Sequence, residues 1–392
     1  MPLTVFPTAT PRPQAESAAV RVLALWELWL VIAAHSGVVG AWRLAGVCWA
    51  ARQGVKEWLR TLPGVVVCGG FTGLGALTSE VWRLDLGKLR WERLPGLTAG
   101  RERNACCAVR RGIAVLGGRV EGQAENEQTA SVETSGHGWL SGSVGNIFKI
   151  LPPLSCGPIV NSAAVVIDEN ESDQGQVLLI GGLDEGLSSS AVRKVDLATG
   201  ECTAQPFLIC PQDHLIIDCM AGRLPDGRII CAGTTQSISD TFTDEESSEE
   251  EEPERHAMAQ VMESPPHESP SGASWQWRSL PGGSKVRIGG MGCVLSDGRF
   301  AVFGGADASG HISSSCEALT LSAEGARWDG LAPMHEPRIA FACAAIGECV
   351  IIAGGEGSKT AEVYEEGLGR WRRLPCSLPY DSQLYAMGSA VM

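Results

Sequence analysis

VVVCGG at Val65–Gly70 is the first of six short apolar runs along the chain that end in glycine. The others are Ile113–Gly118 (IAVLGG), Val177–Gly182 (VLLIGG), Ile229–Gly233 (IICAG), Phe300–Gly305 (FAVFGG) and Val350–Gly355 (VIIAGG). Each run is rich in β-branched residues and stops at glycine, which predicts a buried strand followed by a tight change of direction. The final glycines stand at positions 70, 118, 182, 233, 305 and 355, so successive runs are 48, 64, 51, 72 and 50 residues apart. Such spacing indicates a repeat architecture in which each repeat is one structural unit.

A second phrase, tryptophan followed by leucine and proline, recurs after the apolar runs. It stands at Trp91–Pro95, Trp277–Pro281, Trp328–Pro333 and Trp371–Pro375, and Phe148–Pro152 has phenylalanine in front. In the third repeat, Cys202 stands where the tryptophan would be, seven residues after Val195. The phrase predicts two outer strands joined by a tight turn, with the tryptophan packed between neighbouring sheets.

A glycine doublet followed by an apolar position and a tryptophan, once per repeat, resembles the kelch family over about residues 64–392. The resemblance implies an all-β fold, a six-bladed kelch β-propeller closed by the C-terminal strand and preceded by a small α-helical segment. An inner strand precedes each apolar run except the first. We therefore expect Leu384–Met392 to supply the inner strand of the first blade, which would leave no open strand edge.

Three segments lie outside the repeats. Residues 1–17 carry four prolines and no periodicity, which predicts a disordered leader. Gly122–Gly145 is polar and is predicted to be a surface loop. Residues 239–274 are predicted to be a disordered acidic insert, because positions 240–255 hold nine acids and one arginine and cannot bury enough apolar surface to order themselves.

Composition excludes several classes of partner. The net charge of −14 argues against nucleic acid or an anionic membrane. The apolar stretch Leu23–Ala34 contains Glu27 and is too short to span a bilayer. Most of the fourteen cysteines lie within apolar runs, as expected of reduced thiols in a cytoplasmic or nuclear protein. No metal or cofactor is predicted.

Residues 18–63 have helical periodicity, with Leu25, Leu28, Trp29 and Ile32 on one face. The phrases Leu25-Trp-Glu-Leu28 and Leu44-Ala-Gly-Val47-Cys48 resemble the F-box, which implies docking on a Skp-type adaptor and, through it, a cullin. The adaptor-binding residues would then be Leu25, Leu28, Ile32, Leu44, Val47 and Cys48. The alternative is a helical cap packed on the propeller.

The loops at one end of a propeller surround its central channel, and the residues that open each inner strand point into that entry. In this chain they are Arg103, Asn161, His214, Arg287, Arg338 and Tyr385. The kelch resemblance implies that Arg103, Arg287 and Arg338 contact acidic groups of a protein target. The alternative is that each arginine pairs with an acid of a neighbouring blade or with a backbone carbonyl.

Catalysis is not expected. Some kelch propellers are copper enzymes with tyrosine and histidine ligands, but this chain has three tyrosines and seven scattered histidines. The expected function is therefore the substrate-recognition subunit of a cullin–RING ubiquitin ligase of the SCF type. The helices would bind the adaptor and the propeller face would bind the target. The alternatives are a kelch scaffold for protein–protein interaction without a ubiquitin role and, more remotely, a propeller enzyme.

Overall fold

A computed structural model describes residues 18–73, 75–110, 112–121, 127–135, 148–168, 175–184, 187–238, 254–263 and 275–392. The chain divides into two compact units, Met1–Leu62 and Pro63–Met392. The described part of the first unit is helical, and the second consists mainly of antiparallel strands. The predicted leader, residues 1–17, lies outside the described residues.

The first unit contains three helices, α1 (Ala18–Leu23), α2 (Trp26–Leu44) and α3 (Trp49–Thr61). The predicted break after Ser36 is present, because Gly37 interrupts α2 with a φ of 65° and a ψ of 175°. Helices α2 and α3 pack closely where a Cβ on Gly54 would collide with the backbone of Trp26. Among the described helices, none combines the length and the apolar character needed to cross a bilayer.

The described residues of the second unit form six four-stranded antiparallel sheets, numbered here in chain order. Their strands, from first to fourth, follow. Sheet 1 has Gly388–Val391, Val65–Cys68, Val81–Asp85 and Arg90–Leu94; sheet 2 has Ala105–Val109, Gly112–Leu116, Val132–Thr134 and Lys149–Leu151; sheet 3 has Ala163–Asp168, Gln176–Ile180, Val192–Asp196 and Cys202–Gln205. Sheet 4 has His214–Arg223, Ile229–Ser237, Arg255–Glu263 and Gln276–Leu280; sheet 5 has Met291–Val294, Phe300–Phe303, Cys316–Ser322 and Gly325–Leu331; sheet 6 has Ala342–Ile346, Cys349–Ala353, Ala361–Glu365 and Arg370–Arg373.

Short two-residue ladders also form between segments that flank the strands of these sheets. Phe71–Thr72 pairs with Leu384–Tyr385, Arg101–Glu102 with Arg119–Val120, Arg119–Val120 with Glu127–Gln128, and Leu183–Asp184 with Leu187–Ser188.

All six apolar runs form the second strand of a sheet, as predicted, and these strands are buried. The predicted pairing of the chain end with the first apolar run is also confirmed. Val391 lies opposite Val65, and Gly388 lies opposite Cys68. The first strand of sheet 1 thus comes from the end of the chain, and its other three strands come from the beginning of the second unit.

The prediction of disorder across residues 239–274 is wrong for Arg255–Glu263, which form the third strand of sheet 4. This strand pairs with the second strand along eight residues, and Ala259, Val261 and Met262 are buried in it. The predicted loop Gly122–Gly145 likewise contains Val132–Thr134, the third strand of sheet 2. The remaining parts of the acidic insert, residues 239–253 and 264–274, lie outside the described residues.

The first strands of the six sheets contact one another in cyclic order. Each packs against the first strand of the next sheet, and the first strand of sheet 6 packs against that of sheet 1. The core lies between neighbouring sheets, where apolar side chains from two sheets interdigitate. One cluster, for example, joins Phe303 of sheet 5 to Phe341 and Trp371 of sheet 6.

The glycine doublets form the hydrogen bonds between neighbouring sheets. The second glycine donates its N–H to a carbonyl just before the first strand of the next sheet. These bonds are Gly70 to Arg101 (2.7 Å), Gly118 to Ile159 (2.8 Å), Gly305 to Arg338 (2.8 Å) and Gly355 to Leu384 (2.9 Å). A Cβ on the preceding glycine, Gly304 for instance, would lie 2.5 Å from the same carbonyl, and its φ is 57°. Glycine is therefore required both by the close approach and by the left-handed backbone.

Removal of residues 388–392 should destabilise the whole second unit. The truncation exposes the backbone of Val65–Cys68 as an open edge and removes the contacts of Gly388–Val391 with sheets 2 and 6. We expect a lower midpoint of urea unfolding for the truncated protein. A synthetic peptide of residues 383–392 should restore that midpoint, and a scrambled peptide of the same composition should not. An unchanged midpoint after truncation would contradict the pairing.

Candidate functional site

The six first strands surround a cavity of about 460 Å³. Its wall along the strands is made of small or soft side chains such as Ala105, Ala163, Cys219 and Met291. Its mouth is formed by the residues directly before each first strand, where the polar groups are concentrated. This mouth is the candidate site for a partner.

Three of the six predicted site residues line the cavity, namely Arg103, Asn161 and Tyr385. The side chain of Arg103 is 41% exposed, and its Nε lies 3.9 Å from Oε1 of Glu102. The prediction for His214 is wrong, because this residue does not line the cavity. Its ring instead packs against that of His256, with centroids 5.8 Å apart, since the first strand of sheet 4 begins earlier than those of the other sheets.

The prediction that Arg287 and Arg338 contact a partner is wrong, because both side chains are buried and fully paired. Arg287 is 4% exposed, and its Nε donates to Oε1 of Glu317 at 3.2 Å. Arg338 is 0% exposed, and its Nη2 donates to Oε1 of Glu362 at 2.9 Å. Each arginine also donates to the carbonyl of the first doublet glycine of its own sheet, at 2.8 Å for Gly304 and 2.6 Å for Gly354.

The third member of this set is Arg101, which sequence reasoning missed in favour of Arg103. Arg101 is 1% exposed, forms an ion pair with the buried Glu133, and donates to the carbonyl of Gly117 at 3.1 Å. Burial lowers the pKa of Arg101, and the charge of Glu133 opposes that shift. A signal was available in the sequence. Arg101, Arg287 and Arg338 each stand four residues before a first strand, whereas Arg103 stands two before.

The alternative interpretation of the arginines is therefore correct for two of them, with one difference. The acid belongs to the third strand of the same sheet rather than to a neighbouring one. The second oxygen of each carboxylate makes the contact with the neighbouring sheet. It accepts a hydrogen bond from a backbone N–H of the chain that leaves the preceding sheet. The donors are Thr98 to Glu133 (2.9 Å), Ser284 to Glu317 (3.0 Å) and His335 to Glu362 (2.8 Å).

A partial ring of backbone hydrogen bonds joins the residues two positions before the first strands of five sheets, with sheet 4 excepted. Arg103 N–H donates to Ala386 O at 2.7 Å, Ala386 N–H to Ala340 O at 2.7 Å, and Asn161 N–H to Arg103 O at 3.0 Å. Ala340 N–H donates in turn to Gly289 O at 2.7 Å. All five residues have a φ between 52° and 64°. This left-handed backbone turns each carbonyl toward the next sheet, and the ring fixes the rim of the mouth.

Sheet 4 completes part of this ring with a side chain. A register shift between Ile216 and Asp218 interrupts its backbone pattern, and the N–H of Gly289 donates to Oδ2 of Asp218 at 2.5 Å. The carboxylate also accepts from the N–H of Cys219 at 3.0 Å. Burial raises the pKa of Asp218 to about 6, although these two N–H groups and the charge of Arg103 act in the opposite direction.

The mouth carries more acidic than basic groups. Asp218 and Glu356 line it, and Glu102 lies beside Arg103. Burial raises the pKa of Tyr385, as do the charges of Glu356 and Glu102.

Asn104 adds an unpaired amide to the cavity wall. It is 8% exposed, and neither Oδ1 nor Nδ2 has a hydrogen-bond partner among the described residues. Such a buried amide costs free energy unless a ligand or water satisfies it.

The six predicted adaptor-binding residues fall into two groups. Ile32 and Leu44 pack against the core of the helical unit, and Leu28 is half-buried. Leu25 and Val47 are 52% and 60% exposed. Cys48 is also exposed, and it caps α3 by accepting the N–H of Ala51 at 3.3 Å.

Comparisons with known proteins add little. No family model matches the chain, and no curated protein matches it. Among solved structures, the chain is similar to YjhT at 13% sequence identity and a TM-score of 0.49, over 67% of this chain and 80% of that one. A similarity of this size does not assign a function.

Breaking one buried pair should destabilise the protein strongly. Arg338→Met leaves the carboxylate of Glu362 buried without its cation, which should cost about 3–5 kcal/mol of unfolding free energy. The matched control is Arg327→Met, whose partner is Asp329 and whose side chain is 78% exposed. The control should cost less than about 1 kcal/mol. Similar urea midpoints for the two variants would show that the buried pair does not hold the sheets together.

The pH dependence of stability should reveal Asp218. Its carboxyl group binds a proton more tightly in the folded state, so it destabilises the fold as pH rises from about 4 through about 6. The unfolding free energy of Asp218→Asn should therefore gain about 2–3 kcal/mol relative to wild type between pH 4 and pH 8. In the control Asp226→Asn the difference should stay nearly constant over this range, because Arg228 lowers the pKa of Asp226 and its titration then lies below pH 4. Parallel curves for wild type and Asp218→Asn would contradict this assignment.

Proposed function

We propose that the six sheets are the blades of a kelch-type propeller closed by the C-terminal strand, and that the protein is a substrate-recognition subunit of a cullin–RING ubiquitin ligase. The cyclic contacts among the first strands support the propeller. So does the sequence pattern, in which a glycine doublet recurs in five of the six sheets and a tryptophan–leucine–proline phrase in four of them. Activity in the cytoplasm or the nucleus follows from this function.

The observation that carries a binding role is the built mouth of the cavity. A ring of hydrogen bonds holds its rim, while Arg103, Tyr385 and Glu356 remain accessible on it. Rigid blades that present accessible polar groups suit recognition of another protein. Because Arg287 and Arg338 are buried, recognition of acidic groups would rest on Arg103 alone. The exposed carboxylate of Glu356 favours a target segment that carries a basic side chain.

The helical unit supports the adaptor role through its exposed apolar side chains. Leu25 and Val47 are more than half exposed, and Trp49 is 68% exposed. We propose that these side chains belong to one contiguous apolar surface, which is what a docking site requires. The second candidate is the scaffold without a ubiquitin role. The packing of Ile32 and Leu44 inside the helical core favours it, because those two residues are not free for an adaptor.

The full-length protein should form a complex with a purified Skp-type adaptor on size-exclusion chromatography. The double variant Leu25→Asp, Val47→Asp should lose the complex, because charge on an exposed apolar surface opposes docking and leaves the core intact. The control is Ile150→Asp, a change at a side chain of the second unit that is 61% exposed. This variant should retain the complex. Failure of the wild-type protein to bind the adaptor would leave the scaffold function.

A further inference from the structure

The tryptophans of sheets 4, 5 and 6 each donate a hydrogen bond to the chain that leaves the preceding sheet. The Nε1–H of Trp277 donates to Pro206 O at 2.9 Å, that of Trp328 to Pro281 O at 2.8 Å, and that of Trp371 to Ala332 O at 2.8 Å. In every case the acceptor is the first residue after the fourth strand of the preceding sheet. The tryptophan thus fixes each fourth strand to its neighbour.

Cys202 occupies the tryptophan position in sheet 3. It lies opposite Val195 in the ladder of the third and fourth strands, just as Trp371 lies opposite Tyr364. The chain that leaves sheet 2 lies against this strand through Ser155, and Cys156 follows Ser155 directly. A pair of cysteines is therefore available near the position where sheets 4, 5 and 6 have an indole.

The backbone holds these two cysteines side by side. Ser155 N–H donates to Gly200 O at 2.9 Å, and Cys202 N–H donates to Oγ of Ser155 at 2.8 Å. Cys156 follows Ser155 directly, both cysteines pack against the same apolar cluster of the core, and both side chains are half-buried. The two segments are thus aligned without any covalent link.

The two thiols differ in acidity. The Cys156 thiol, as hydrogen-bond donor, lowers the pKa of Cys202 to about 6, and Ser155 contributes in the same direction. The same contact, together with burial, raises the pKa of Cys156. Cys202 is thus the more acidic thiol and Cys156 the less acidic one, which is the arrangement of an attacking and a resolving cysteine.

We propose that Cys156 and Cys202 form a dithiol that hydrogen peroxide converts to a disulfide, joining the exit of sheet 2 to the outer strand of sheet 3. The thiolate of Cys202 attacks one peroxide oxygen, the O–O bond breaks, and the departing hydroxide takes a proton to become water. Cys156 then attacks the resulting sulfenic sulfur; the S–S bond forms, the S–O bond breaks, and the proton of Cys156 leaves with the second water. Two thiols are oxidised and one peroxide is reduced to two waters.

A second close pair offers an internal comparison. Sγ of Cys68 and Sγ of Cys106 are 3.5 Å apart, but Cys68 is 0% exposed. The hydrogen bond to Cys68 and burial both raise the pKa of Cys106 well above its ordinary value. Proximity alone would make this pair as reactive as the first. Because the reactivity of a cysteine depends on its thiolate character and its exposure to solvent, we expect Cys156 and Cys202 to be oxidised instead.

Mass spectrometry of the oxidised full-length protein tests the proposal. The reduced protein is treated with an equimolar amount of hydrogen peroxide, remaining thiols are alkylated, and disulfide-linked peptides are identified. We expect a Cys156–Cys202 link and twelve alkylated cysteines of the fourteen. Cys202→Ser should abolish the link. Cys156→Ser should leave a sulfenic acid at Cys202 that dimedone traps, and the control Cys106→Ser should leave the link intact.

Two further measurements separate a specific dithiol from general oxidation. The rate of the reaction should rise with pH through about 6 and then level off, following the thiolate of Cys202. The disulfide should raise the temperature of unfolding by roughly 2 °C or more, because it constrains the unfolded chain. A link between Cys68 and Cys106 in its place, or fourteen free thiols after treatment, would overturn the proposal. These measurements test the dithiol whether or not the protein is a subunit of a ubiquitin ligase.

Discussion

The buried arginine–glutamate pairs hold three segments of chain together at once, and the packing of the sheets depends on them. Each carboxylate joins its own arginine to a backbone N–H of the chain that leaves the preceding sheet. Two ions buried in this way stabilise a fold when their geometry is good and their hydrogen bonds are made, and these pairs make most of theirs, although Nε of Arg101 has no partner among the described residues. In sheet 4 an uncharged side chain makes the equivalent hydrogen bonds to the chain that leaves the preceding sheet. Gln260 accepts the N–H of Ile209 at 2.8 Å and donates to its carbonyl at 2.6 Å. A neutral amide thus replaces the carboxylate, and no arginine is needed.

The arginines and the glycine doublets form one linked arrangement. Arg338 donates to the carbonyl of Gly354 in its own sheet, and its own carbonyl accepts the N–H of Gly305 from the preceding sheet. The doublet positions must be glycine so that the carbonyl of the next sheet can approach closely. The arginine must be buried so that it can donate to the glycine carbonyl of its own sheet. The doublet is incomplete in sheet 4, at Ala232-Gly233, and the second strand there continues to Ser237. Asp218 then supplies a carboxylate acceptor to Gly289 where the register shift breaks the backbone pattern.

The sequence was sufficient for the elements that carry long apolar runs and insufficient for those hidden in polar surroundings. The second strands and the pairing of the chain end were predictable, because burial imposes a composition that can be recognised. Arg255–Glu263 was missed because acids and prolines dominate the composition on both sides of it. Val132–Thr134 was missed because it is three residues long and contains a glutamate, the residue that pairs with Arg101. The prediction named Arg103 instead of Arg101 for the same reason, because composition does not show which of these two arginines is buried.

The burial of these arginines also changes what the mouth of the cavity can recognise. Arg287 and Arg338 are buried and bound to Glu317 and Glu362, so a partner cannot reach them. Exposing either arginine would leave a buried carboxylate unpaired. Recognition must therefore come from groups that the architecture does not consume. These are the half-exposed Arg103, the exposed Glu356 and the partly exposed Tyr385. Resemblance in sequence identifies the repeated positions, but the bonds made at each position decide which of them a partner can reach.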